Sequence, residues 1–153
     1  MAIFEKRDSF VKQIAVYLRQ GEYKKAYDLS RALASAFPAH MIGHYLLAKS
    51  AFWSGNFEEA ASEGEKAFRM AGKKDKSSCG ILAASALFRL GRYREGHDLL
   101  AGIDEKGNVE LEKLRFAFAM AMGNESEAVR FLDELYRINR VAAEKLITQA
   151  LSG

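Results

Sequence analysis

Apolar residues recur every three or four positions along most of the chain, which is the spacing of helices that bury one face. Phe10, Ile14 and Tyr17 share such a face in the first segment, and Leu47 and Ala51 share one further along. The chain contains a single proline, and its β-branched residues are not clustered. Ala, Leu, Glu, Lys and Arg predominate, and these residues favour helices. The pattern predicts an all-α protein with nine helices and no strand.

One six-residue pattern occurs four times: a glycine, a polar residue, usually an aromatic residue, two polar residues and a small residue. The copies are GEYKKA from Gly21, GNFEEA from Gly55, GRYREG from Gly91 and GNESEA from Gly123. The four glycines are 34, 36 and 32 residues apart, and repetition at this period is typical of helical solenoids. Each glycine ends one apolar segment and precedes another, so we predict four helix–turn–helix units.

The turns carry the signals of helix ends. Glycine readily adopts the left-handed conformation that closes a helix. Asn56 and Asn124 follow two of the glycines and are expected to be N-caps, with Glu59 and Glu127 three residues later completing a capping box. Residues 72–78 are expected to form a loop between units.

Small residues stand five positions after each glycine, aromatic residues stand two positions after three of them, and a proline closes the first unit. The residues concerned are Ala26, Ala60, Gly96, Ala128, Tyr23, Phe57, Tyr93, Pro38 and, before the first glycine, Tyr17. Together with the glycines, they resemble the tetratricopeptide repeat (TPR) family. This resemblance implies a right-handed α-α superhelix, a TPR-like solenoid. Its single domain over 1–153 would contain repeats at about 7–40, 41–74, 77–107 and 109–139 and a capping helix at about 140–151.

Three positions depart from the family pattern. Gly80 and Glu112 stand where the family prefers a large aromatic residue, and Glu125 replaces the aromatic residue after the fourth glycine. The second helix of the third unit is expected to be short, because Gly102 and Gly107 follow it closely. The pattern therefore defines the packing of the third and fourth units less well than that of the first two.

Composition and charge indicate the compartment in which the protein works more clearly than its function. The net charge is +3 and acidic and basic residues are interspersed, a balance too mild to demand nucleic acid or an anionic membrane. No segment reaches the roughly 18 continuous apolar residues of a membrane span, and the charged N-terminus is unlike a signal peptide. Cys79 is the single cysteine, so no internal disulfide can form and we expect a reducing, cytoplasmic setting.

The catalytic and metal-binding patterns that we sought are not found. No phosphate-binding loop, dinucleotide-binding glycine pattern, zinc-ligand cysteine pattern or nucleophile elbow occurs. His40 and His44 lie four positions apart, a spacing that can bind a metal ion from one helix. However, no third ligand is identifiable nearby, and His44 lies on a core-facing stripe. His97 is isolated and is expected in solvent. We therefore expect no enzyme activity, cofactor or bound metal.

In TPR proteins the first helix of each unit lines the concave side. The resemblance implies that the groove here is lined by Val11, Leu18, Tyr45, Lys49, Phe52, Trp53, Ile81, Phe88, Arg89, Lys113 and Met120. This face is largely apolar, and aromatic side chains are frequent anchors of recognition surfaces. We expect a non-enzymatic protein-interaction scaffold or chaperone-like adaptor that binds an apolar peptide or helix of another protein. The alternative is that neighbouring units cover Phe52 and Phe88 without any partner.

Two other functions stay open. Related helical repeats bind RNA, although acidic residues interrupt the basic ones near the turns and argue against nucleic acid. The chain could also be a structural subunit that forms homo-oligomers. One familiar TPR activity is not expected, namely clamping the C-terminal carboxylates of heat-shock chaperones with basic and amide side chains. The matching positions here are Val11, Ala15, Leu46, Ser78 and Leu82.

Overall fold

The computed structural model describes residues 2–152, with side chains described from Lys6 onward. Over this range the chain forms nine α-helices and no strand, as predicted. The helices are α1 Ala2–Arg19, α2 Tyr23–Ala36, α3 Met41–Trp53, α4 Phe57–Met70, α5 Lys76–Arg89, α6 Tyr93–Ala101, α7 Val109–Ala121, α8 Glu125–Ile138 and α9 Arg140–Ser152. Each helix packs against the next, and α1, α3, α5 and α7 also pack side by side in a row. The expected all-α solenoid is confirmed.

The four turn glycines close helices as predicted. Each has a positive φ, between 72° at Gly123 and 83° at Gly55. The residue after each glycine donates its backbone N–H to the carbonyl five residues earlier, as in the 2.8 Å bond from Asn56 to Ala51. These bonds satisfy carbonyls at the helix end that would otherwise lack a partner.

The two asparagines are N-caps, but the capping boxes are not formed. The side-chain oxygen of Asn124 accepts the backbone N–H of Glu127 at 3.2 Å, and Asn56 does the same for Glu59. The reciprocal bond from the glutamate is absent from both turns, because the backbone N–H of each asparagine already binds the preceding helix. The carboxylates bind neighbouring helices instead: Glu59 accepts from the Tyr27 hydroxyl at 2.9 Å.

The loop predicted for residues 72–78 is shorter than expected. Helix α5 begins at Lys76, and the backbone N–H of Cys79 donates to the carbonyl of Asp75 at 3.1 Å. This bond forms the first helical turn, so Lys76, Ser77 and Ser78 are helical and the loop prediction was wrong for them.

Close packing between units depends on residues without large side chains. A Cβ atom added to Gly43 in α3 would lie 2.8 Å from Cα and 2.9 Å from N of Ala34 in α2. In the third unit, a Cβ on Gly96 would overlap the ring of Phe118, which is fully buried. The backbone of α2 and the ring of Phe118 therefore occupy the space that larger side chains would need.

The third unit is irregular because α6 has only 9 residues. The chain then continues through a loop in which Ile103 is buried. The side chain of Ile103 fills the space above Gly80, since a Cβ on Gly80 would lie 2.5 Å from Ile103 Cδ1. A residue from the loop thus occupies the volume that the missing aromatic residue leaves.

The departure at Glu112 is also compensated. Glu112 is buried and accepts a 2.9 Å hydrogen bond from Nη1 of Arg115. Nη2 of Arg115 donates to the carbonyls of Leu100 at 3.0 Å and Ile103 at 2.7 Å. This ion pair binds the end of the short α6 and the following loop to α7, where the family pattern would place an apolar contact.

Candidate functional site

The row formed by α1, α3, α5 and α7 contains two adjoining hollows. The first, of about 350 Å³, lies between α1 and the starts of α3 and α5; it is lined by Arg7, Asp8, Val11, His40, Met41, Ile42, Tyr45, Asp75 and Ser78. The second, of about 390 Å³, lies between α3, α5 and the start of α7; it is lined by Tyr45, Lys49, Phe52, Trp53, Ser78, Ile81, Leu82, Ser85, Asn108 and Glu110. Tyr45 and Ser78 line both hollows, which therefore adjoin and are together called the groove.

Trp53 is the most prominent aromatic side chain of this groove. The residue is 56% exposed. One contact is a stacked arrangement with Tyr23 of α2, with ring centroids 6.2 Å apart, and the other is an edge contact with Phe52 at 5.7 Å. Such contacts fix the orientation of the indole. The exposed part of Trp53 therefore presents a large apolar surface to the second hollow.

Tyr45 forms the boundary between the two hollows. It is half-buried and packs against apolar clusters that contain Leu46 and Cys79. Burial, followed by the nearby Cys79 and Asp75, raises the pKa of the Tyr45 hydroxyl. The side chain is therefore neutral at physiological pH.

Lys49 is the basic residue of the second hollow. On α3 it lies one turn from both Tyr45 and Trp53, on the same face. Among the side chains described, from Lys6 to Ser152, no carboxylate forms an ion pair with Lys49, and no hydrogen bond engages its ammonium group. Glu110 lines the same hollow, but its Oε1 is 3.7 Å from Nζ of Lys113.

Six of the eleven groove residues predicted from the sequence line the two hollows. These are Val11, Tyr45, Lys49, Phe52, Trp53 and Ile81. The other five, Leu18, Phe88, Arg89, Lys113 and Met120, line neither hollow.

Internal contacts account for two of those five. Phe88 is half-buried and has edge contacts with Tyr93 and Phe118, each at 5.2 Å, so neighbouring helices partly cover it, whereas Phe52 lines the second hollow. Arg89 lies over the ring of Phe57 at 5.4 Å.

Several groove residues were not identified from the sequence. His40, Asp75 and Asn108 line the hollows and are the N-cap residues of α3, α5 and α7. They precede the first helix of a unit, whereas the prediction considered only positions within those helices. The N-cap position before each first helix is the signal that could have found them.

The histidines are engaged in structural contacts. Nδ1 of His44 is 2.6 Å from Oε2 of Glu63, and Nε2 is 2.8 Å from the carbonyl of Pro38. Burial alone would raise the pKa of Glu63, but hydrogen bonds from His44 and Lys66 outweigh it and lower that pKa. His40 accepts the backbone N–H of Ile42 at 3.2 Å. The residues described contain no group of three or more side chains that could hold a metal ion.

The expectation for His97 was wrong, because the side chain is half-buried between helices. Its Nε2 is 2.5 Å from Oε1 of Glu127 in α8. This hydrogen bond raises the pKa of His97, although desolvation opposes it. The contact links successive second helices at positions equivalent to Tyr27 and Glu59.

Among the helices described here, none has the length and apolar character needed to cross a bilayer.

Comparisons with known proteins identify the fold. No family model matches this sequence, and no curated protein matches it. Among solved structures, PilF of Pseudomonas aeruginosa superposes with a TM-score of 0.80 at 17% identity, over 99% of this chain and 72% of PilF.

Two further structures are similar. YrrB, described as a TPR protein with an unusual peptide-binding site, gives a TM-score of 0.79 at 15% identity, over 93% of this chain and 74% of YrrB. TTC0263, a thermophilic TPR protein from Thermus thermophilus, gives 0.73 at 14% identity, over 93% of this chain and 81% of TTC0263. At such identities a common architecture is shown without a common activity. The chain therefore has the fold of the tetratricopeptide-repeat proteins.

Proposed function

We propose that this protein is a non-enzymatic interaction scaffold or chaperone-like adaptor whose concave groove accepts an apolar peptide or helix of another protein. The observation that carries the proposal is the adjoining pair of hollows bordered by Tyr45, Phe52 and the exposed Trp53. YrrB, which has the same fold, is described as having a peptide-binding site. The proposal includes the cytoplasmic setting expected from the single cysteine.

The physical basis is the apolar surface that a partner would cover. An aromatic side chain of this size buries up to about 250 Å², and covering the exposed 56% of Trp53 would contribute up to roughly 3.5 kcal/mol. The orientation of the ring is already fixed by Tyr23 and Phe52, so binding costs little additional side-chain entropy. An amphipathic helix or an extended apolar segment fits a groove of this kind.

The proposal can be tested by selecting peptides from a displayed random library on the immobilised protein. Trp53 is the only tryptophan, so the emission of the protein reports directly on the groove. We expect selected peptides to shift that emission to shorter wavelength as the indole leaves water.

Two matched variants then locate the binding site. Trp53→Arg should weaken binding of the labelled peptides by about tenfold or more, as expected for a central aromatic anchor. Tyr136→Arg replaces an aromatic residue on α8 that is 38% exposed and outside both hollows, and it should leave binding unchanged. Helicity measured by circular dichroism should be the same in all three proteins. If no peptide binds, or if Trp53→Arg binds as the wild type does, the proposal is wrong.

A further inference from the structure

Lys49 differs from the other partly buried basic residues of the protein. Seven Lys and Arg side chains in the described part are half-buried. Six have an acceptor within the chain: Arg7, Lys66, Lys76, Arg92, Lys113 and Arg115. Lys49 is the exception. The residue is half-buried, and no carboxylate or carbonyl of the described residues binds its ammonium group.

The surroundings of Lys49 make an unpaired ammonium group costly once a partner covers the hollow. The side chain lies in the second hollow with Phe52 and Trp53 on its own helix and Ile81 across the groove on α5. Apolar neighbours reduce the access of water, and a partner that covers the hollow would reduce it further. Burying an unpaired cation is costly, whereas a charge-assisted hydrogen bond to a carboxylate compensates for the lost hydration.

We infer that the segment bound in this groove carries an Asp or Glu side chain that pairs with Lys49, flanked on both sides by apolar residues. This inference rests on the proposed function and specifies its ligand. The acidic group belongs within the segment and not at its C-terminus, because the groove continues past Lys49 in both directions, toward the first hollow at Tyr45 and toward Trp53. A protein segment suits the aromatic and aliphatic lining better than nucleic acid does.

One carboxylate of the chain lines the second hollow, that of Glu110. Its side chain is 70% exposed and it pairs with Lys113, so its charge is partly neutralised. Lys49 is thus left as the cation available to an incoming carboxylate in this hollow.

The test uses amidated peptides taken from the library selection, so that they lack a C-terminal carboxylate. We expect them to combine apolar residues with one Asp or Glu at a constant position. Replacing that residue with Asn or Gln should weaken binding to the wild type about tenfold, which is near the lower end of the range for a hydrogen bond to a charged group. Lys49→Met should bind the acidic and amide peptides equally well.

Charge reversal and a matched control make the test specific. Lys49→Glu should prefer a peptide with Lys in place of the acidic residue. Lys24→Met removes a charge from an exposed side chain of α2 outside both hollows, and it should keep the wild-type preference.

Four results would overturn the inference. The first is peptides that bind and shift Trp53 emission without any acidic preference, which would leave the proposed function intact. The second is a preference for a free C-terminus over the internal acidic residue. The third is the absence of any bound peptide, which would also overturn the proposed function. The fourth is a single-stranded RNA oligonucleotide that binds the wild type but not Lys49→Met, which would show that Lys49 binds nucleic acid.

Discussion

The buried ion pair between Glu112 and Arg115 gives the most direct test of how the irregular third unit is held. Replacing Arg115 with Met keeps most of the side-chain volume but removes the cation. The carboxylate of Glu112 would then be buried without a countercharge, and the carbonyls of Leu100 and Ile103 would lose their shared donor. Each loss destabilises the folded state.

The expected magnitude is large relative to total stability. Removing one partner of a buried ion pair costs about 3–5 kcal/mol, whereas a domain of this size unfolds with about 5–15 kcal/mol. Adding Glu112→Gln to the Arg115→Met variant removes the unpaired negative charge. We therefore expect the double variant Glu112→Gln/Arg115→Met to be more stable than Arg115→Met by about 1–3 kcal/mol.

Urea unfolding followed by circular dichroism measures these differences. With a slope of about 2 kcal/mol per molar urea, Arg115→Met should lower the midpoint by about 1.5–2.5 M. Glu134 and Arg137 in α8 form the matched control, because they have the same spacing, with a 3.1 Å hydrogen bond. Arg137 is 64% exposed, against 14% for Arg115, so Arg137→Met should leave the urea midpoint nearly unchanged. Equal effects of the two substitutions, or additive effects in the double variant, would refute the reasoning.

Two further predictions concern the packing between helices. Gly43→Ala would place a Cβ against the backbone of Ala34. We expect the unfolding free energy to fall by about 1–2 kcal/mol and the melting temperature by about 2–8 °C. Gly72→Ala is the control, because no atom lies near its Cβ, and it should show no such loss. The pKa of folded His97 is raised by its hydrogen bond to Glu127, so this contact stabilises the fold below the unfolded pKa and is lost as pH rises through the folded pKa. Between about pH 6 and pH 9 the wild type should therefore lose more unfolding free energy than Glu127→Gln does; parallel pH profiles from urea unfolding would contradict this.

The candidate site was only partly predictable. The resemblance to TPR proteins placed Tyr45, Lys49 and Trp53 on the concave face, and these residues line the second hollow. The same resemblance placed Phe88 there, yet Phe88 lines neither hollow and its ring contacts Tyr93 and Phe118. Whether an aromatic ring turns toward the groove or toward the next unit depends on the space between two helices, which spacing along the chain does not specify.

The contacts of charged side chains were predicted least well. Glu59 and Glu127 have the spacing of a capping box, but the backbone N–H that each would need is already bonded to the preceding helix. Their partners, Tyr27 and His97, are 32 and 30 residues away. Contacts over such separations form only when two units are stacked, so local sequence signals did not reveal them.

The sequence by itself determined the helices, their order and the turns between them, because apolar periodicity and glycines that accept a positive φ act over a few residues. The tertiary structure alone decided how the third unit is completed. Ile103 fills the space above Gly80, and Arg115 joins Glu112 to the end of α6. It also decided that no carboxylate or carbonyl of the described residues binds Lys49 in the second hollow. These outcomes depend on which distant side chains meet and how much water stays between them, and both are set only when the helices pack.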